Sequence, residues 1–174
     1  MPPSDSLRLS VVLPASAERL YKAWLDPKEH ASFTGAAATG TGKSGGKFTA
    51  WDGYITGKYL ELEPPSGENP SAARIVAAWR TADFTEDHPD SRLEVLFHPA
   101  SGGTRITIAH SDLPLGDGER YKGGWEKFYF EPMRAFFRAA SESKILAADA
   151  KRGGAQKVAA KARTPASRPP RTKG

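Results

Sequence analysis

The sequence predicts an α+β fold: a curved antiparallel sheet of six strands wrapped around a long C-terminal helix, with two short helices after the first strand. Two patterns carry that expectation. Residues 125–140, WEKFYFEPMRAFFRAA, concentrate aromatic mass in one helical segment. Upstream, short apolar alternations separated by turn signals have the two-residue period of half-buried strands. A helix that apolar needs a concave partner, and a twisted sheet supplies one.

At about 100° per residue, Trp125, Phe128, Tyr129, Pro132, Met133, Phe136 and Ala140 fall on one broad face, which Phe130 and Phe137 widen. Lys127, Glu131, Arg134 and Arg138 form a narrow polar stripe opposite, where pairs such as Lys127 with Glu131 contribute a few tenths of a kcal/mol. Each buried aromatic contributes roughly 1.5–3 kcal/mol, so the segment is expected to be enclosed on most sides. Pro132 removes one helix hydrogen bond and is expected to bend the helix near its middle.

The preceding elements follow in order. Leu7, Leu9, Val11 and Leu13 alternate with Arg8, Ser10 and Val12 as a first strand, which Pro14 stops. Residues 16–25 switch to helical period, with Ala17, Leu20, Tyr21 and Trp24 on one face. Asp26-Pro27, with Glu29 three residues after the cap, ends this helix and starts another. Residues 33–46 read as a flexible loop. The Gly-rich GAAATGTGKSGG within it fails as a phosphate loop: Ala37 occupies the first Gly position, a helix precedes it, and Gly45-Gly46 stand where a helix should begin. Residues 47–51 and 54–63 flank Asp52-Gly53, a strong hairpin signal. Strands are also expected at 73–80, 92–98 and 104–110, completing a meander. Asp117 is expected to cap a turn that leads through Gly123-Gly124 into the long helix.

With 174 residues, 39% hydrophobic and 26% charged, the chain suffices for one domain and a tail. No apolar run reaches the ~18 residues of a membrane span, and MPPSDSLRLS lacks the order of a secretory signal, so a soluble, cytoplasmic protein is expected. Without cysteine there are no disulfides or thiolate metal sites. The net charge of +5 is unevenly spread: residues 147–174 hold eight Lys or Arg and one acid, leaving 17 basic and 19 acidic residues, a net −2, in residues 1–146. The expected organisation is therefore a domain over 1–146 and a basic tail over 147–174, too poor in apolar side chains to order itself. That tail suits weak contact with nucleic acid or another anionic surface; a solubilising appendage is the plainer alternative.

Marks across the domain resemble the helix-grip fold of the START-like (SRPBCC) superfamily, and within it the family named for the activator of heat-shock protein 90 ATPase. They are Pro14 with Ala17-Glu18 and Trp24-Leu25-Asp26-Pro27; Gly46-Lys47-Phe48, Asp52-Gly53, Gly57 and Leu62-Glu63-Pro64; Ile75 to Trp79-Arg80; Thr107 to Ser111 with Leu113-Pro114; and Gly124-Trp125, Tyr129-Phe130 and Phe136-Phe137. The resemblance implies a cavity between long helix and sheet, which in that superfamily takes varied lipids, hormones and metabolites. It also implies a heat-shock protein 90-type chaperone as a partner. The members that stimulate that chaperone carry a separate N-terminal domain, whereas six residues precede the first expected strand here, so the co-chaperone role is the second expectation.

The first expectation is a non-catalytic binding protein for a small apolar or aromatic ligand. Trp51, Trp79, Phe97, Trp125 and Tyr129 are its candidate wall, with Trp24 and Phe33 near the mouth. Each singly reads as core packing; together they suggest a pocket. His110 shares the Ile106 and Ile108 face and offers one titratable group, with a hydrogen-bonded structural histidine as the plainer alternative. Glu126 falls between Met133 and Phe137 in projection, suited to a pocket mouth or to charge stabilisation near a helix N-terminus. His30, His88 and His98 show no metal-ligand spacing, and neither a Gly-x-Ser-x-Gly nucleophile nor a carboxylate pair stands out. No cofactor is expected.

Overall fold

Ser16 and Asp26 set the helices that follow the first strand. In the computed structural model, which describes residues 3–152, β1 (Asp5–Leu13) buries Leu7, Val11 and Leu13. The Ser16 hydroxyl then accepts the Arg19 N–H at 3.1 Å and opens α1 (Ala17–Leu25). Asp26 accepts the N–H groups of Lys28 at 2.8 Å and Glu29 at 3.4 Å and opens α2 (Pro27–Thr34). The expected tandem helices are present.

The sheet has seven strands rather than six, in the order β1-β7-β6-β5-β4-β3-β2, all neighbours antiparallel. The added strand is β2 (Thr39–Gly40), two residues inside the stretch expected to be loop, held against β3 (Lys47–Ala50). β4 (Ile55–Glu63), β5 (Ala73–Thr81), β6 (Ser91–Ala100) and β7 (Gly103–Leu113) continue the expected meander. The chain crosses from β1 to the far edge through α1 and α2, and returns so that β7 pairs with β1.

A hairpin forms around Asp52-Gly53, but its turn has four residues rather than the expected two: Ala50 pairs with Ile55, and Trp51–Gly53 form a single 3-10 turn that takes Trp51 and Tyr54 out of the strands. Its turn holds three successive residues at positive φ: Trp51 at 53°, Asp52 at 59° and Gly53 at 89°. Only glycine adopts that region without cost. The Asp52 carboxylate accepts the Ala37 N–H at 2.8 Å, which fastens the segment before β2 to the turn.

The long helix begins earlier than expected. α3 (Gly118–Trp125) already includes Gly123-Gly124, Glu126–Phe130 form a π turn, and α4 continues over Glu131–Arg152. The Asp5 carboxylate accepts the N–H groups of Gly116 at 2.9 Å and Gly118 at 2.8 Å, tying the start of α3 to β1. The irregularity expected at Pro132 lies in the turn before it: Pro132 has no N–H for the Phe128 carbonyl, and the backbone opens so that the Glu131 N–H reaches Glu126 O. This changes which side chains face inward. From Trp125 to Phe137 an unbroken α-helix would drift roughly 120° beyond whole turns; the wider π turn advances less per residue. Trp125, Tyr129, Phe130, Met133 and Phe137 are buried, whereas Phe128 and Ala140 are exposed and Phe136 is half-buried. On the polar side, the ion pair formed is Arg134 with Glu126, at 2.6 Å.

The helix also runs past the boundary expected at residue 146. Ala147 to Arg152 are helical, and Ile145 and Leu146 are exposed; the rest of the expected tail, 153–174, lies outside the described residues. No described helix is long and apolar enough to cross a membrane.

Candidate functional site

Every fourth residue from Tyr121 to Phe137 is turned inward. The lower part of this row fills space: Phe137 lies 6.1 Å from Phe33 between ring centres, and Phe130 and Met133 are buried with it. The upper part meets β5, with Trp79 at 5.5 Å from Tyr121 and 5.8 Å from Trp125. Between this upper part and the 51–54 turn, helix and sheet separate and leave a cleft of about 360 Å³.

Trp79, Trp125 and Tyr129 form one side of the cleft, and Trp51, Tyr54 and Ile55 the hairpin side. The helix contributes Arg120, Tyr121 and Phe128 at the rim, and Gly124, whose missing side chain is part of the opening. A Cβ on Gly124 would meet nothing nearer than the Phe128 ring at 3.9 Å. Seven of the ten lining residues are aromatic, and Arg120 is the one charged residue among them.

The polar atoms behind these rings are paired, and most of the protons can be assigned. The Trp24 carbonyl can only accept, so His30 Nδ1–H donates to it at 2.9 Å and Nε2 accepts the Tyr129 hydroxyl at 2.9 Å. Trp125 Nε1–H can only donate, so His110 Nδ1 accepts it at 3.2 Å. His110 Nε2–H then donates to Ser91 Oγ at 2.7 Å, and Ser91 donates to the Trp79 carbonyl at 2.7 Å. Burial holds both rings neutral, lowering His30 to about 4 and His110 to about 3. Burial also pushes the Tyr129 hydroxyl well above its ordinary range. The Trp51 N–H is buried without a well-formed partner among the described residues, although it is near enough to Tyr129 to favour the phenolate slightly.

At the rim, Asp83 accepts the Tyr54 hydroxyl at 2.6 Å and the Arg120 guanidinium at 3.1 Å. These two bonds, the tyrosine's first, hold the Asp83 carboxyl below its ordinary range. Arg120 also reaches Asp117 at 3.4 Å and lies 4.6 Å over the Tyr121 ring.

Of the candidate residues, Trp51, Trp79, Trp125 and Tyr129 line the cleft. Trp24 and Phe33 stand one layer behind it, Trp24 stacked 5.3 Å from Tyr129 and Phe33 packed 6.3 Å from Trp24. Phe97 is fully buried beneath α1 against Tyr21, at 6.0 Å. His110 holds Trp125 from behind and does not line the cleft. Glu126 pairs with Arg134. Tyr54, Arg120, Tyr121 and Gly124 also line the cleft, and His30 supports Tyr129, although none of them is among the candidates that the sequence offers. For Tyr121 a signal existed in its four-residue step to Trp125; the glycine pair between them read as a break. Among the described residues, no group of three or more His, Asp or Glu is placed to hold a metal ion.

One antiparallel sheet curled against a long C-terminal helix is the architecture of the START-like (SRPBCC) helix-grip class. Within it the chain belongs to the activator of Hsp90 ATPase homolog 1-like protein family, whose model matches residues 14–138. The human activator of 90 kDa heat shock protein ATPase homolog 1 is 28% identical over 135 residues, 78% of this chain and 38% of the relative. Homolog 2 of Mus musculus is 26% identical over 141 residues, 81% of this chain and 40% of its own length. The chain therefore spans about two fifths of these relatives. A solved HSP90 activator from Plasmodium falciparum shares the fold, with TM-score 0.63 and 24% identity over 75% of this chain and 94% of that one. Protein CV1439 of Chromobacterium violaceum gives TM-score 0.57 and 27% identity over 79% and 98%.

Proposed function

We propose that this protein is a non-catalytic binding domain that holds a small apolar or aromatic ligand between the long helix and the sheet. The observation that carries this reading is the cleft of about 360 Å³, walled by indole and phenol rings and left open by Gly124. The volume lies at the lower end of the range of small-molecule pockets, and an apolar lining with few polar groups is the usual form of such a site. The rings are braced from behind by His30 and His110, which keeps the walls set before anything binds. Titrating the protein with a library of lipids and aromatics while following tryptophan fluorescence tests the reading: saturable changes that Gly124→Leu abolishes support it, and silence across the library refutes it.

Family membership favours a second reading, an accessory to a heat-shock protein 90-type chaperone. Stimulation of such a chaperone's ATPase by the purified protein supports it, and absence of both binding and stimulation removes it. The basic excess in residues 147–174 supports a separate role for that segment as a weak tether to nucleic acid or another anionic surface.

A further inference from the structure

Resting on the binding reading, we infer that the cleft selects planar organic cations, such as N-alkylated heteroaromatic rings, over neutral or anionic molecules of the same shape.

Three polar side chains of the lining point their protons away from the cleft. Tyr129 donates to His30, Trp125 to His110, and Tyr54 to a carboxylate that can only accept. Each of these donors is spent on a partner outside the cleft. What the three side chains leave for a ligand is ring faces and phenol lone pairs, all electron-rich. The donor left over is the Trp51 N–H, which is buried beside Tyr129; a single neutral dipole offsets little of the desolvation of a full negative charge. A cation gains from every ring face it meets.

The rim has the same sense. Arg120 is bound by Asp83 and Asp117 at 3.1 and 3.4 Å, so this trio sums to one negative charge and a ligand carboxylate would have to compete with two carboxylates already on the guanidinium. Two rim rings already attract cations of the chain itself: Arg120 lies 4.6 Å over Tyr121, and Lys127 5.6 Å over Phe128. Flatness follows from the walls, since Trp79 and Trp125 are tilted by only 34° to one another at 5.8 Å.

Three probes on one bicyclic frame separate the possibilities: N-methylquinolinium, 1-methylnaphthalene and 1-naphthoate, titrated against the full chain at low salt by calorimetry and tryptophan fluorescence. The cation is expected to bind roughly 3- to 30-fold more tightly than the neutral ring, with the anion weakest. Asp83→Asn with Asp117→Asn is expected to weaken the cation several-fold and leave the neutral ring unchanged. Equal binding of cation and neutral ring, or tighter binding of the naphthoate, overturns the selectivity and leaves the binding reading standing. If none of the three binds, and the wider library is also silent, both fall together.

Discussion

Protonating His110 would place an N–H against the Trp125 N–H, two donors with no acceptor between them. Protonating His30 would likewise deprive the Tyr129 hydroxyl of its acceptor. Both folded-state values lie far below the ordinary 6.5, at about 3 and about 4, so below pH 6.5 the unfolded chain binds protons that the native one does not. The stability from these neutral rings is thus fully present above about pH 6.5 and is lost as pH falls through the window down to the folded values. At pH 5 each contributes a loss of about 2 kcal/mol relative to pH 7.5, together roughly 4. Urea denaturation at the two pH values measures it, and His110→Gln should roughly halve the pH-dependent part. A second expectation concerns Asp52, which sits at positive φ and accepts the Ala37 N–H. Asp52→Ala should cost about 1–2 kcal/mol, read from the urea midpoint.

The helical stretch tests a different trade. Gly124 lies in mid-helix with room for a Cβ, so Gly124→Ala should raise stability by about 0.5–1 kcal/mol. Gly124→Leu should fill the cleft and abolish ligand-induced fluorescence change while the circular dichroism spectrum stays unaltered. The sequence showed where most elements lie because their signals are local: alternation for the strands, Asp26-Pro27 for the tandem helices, Asp52-Gly53 for the hairpin. β2 was hidden because two residues carry no periodicity, and its pairing is supplied by β3. The early start of the helix was hidden because Gly123-Gly124 signals a break. Burial of Tyr121 and Trp125 on either side of that pair outweighs its low helix propensity. The π turn leaves no pattern that a fixed helical period can find, so that period turns Phe128 inward where the structure exposes it.

At the scale of the whole molecule, four of the eight site candidates meet around one cleft, and the others brace it or fill the core. Aromatic residues on an inward face are legible in a sequence; which of them border empty space depends on how far helix and sheet separate. Deleting residues 147–174 should leave cleft binding intact while abolishing salt-sensitive retention on DNA, and retention by the shortened chain would place that property in the domain. Occupation of the cleft registers at the indole N–H resonances of the four tryptophans. Titration of the nitrogen-15-labelled protein with an aromatic probe should shift Trp51, Trp79 and Trp125 saturably and Trp24, one layer back, least. Saturable binding that leaves those three unmoved would place the ligand elsewhere and rule out the cleft as its site.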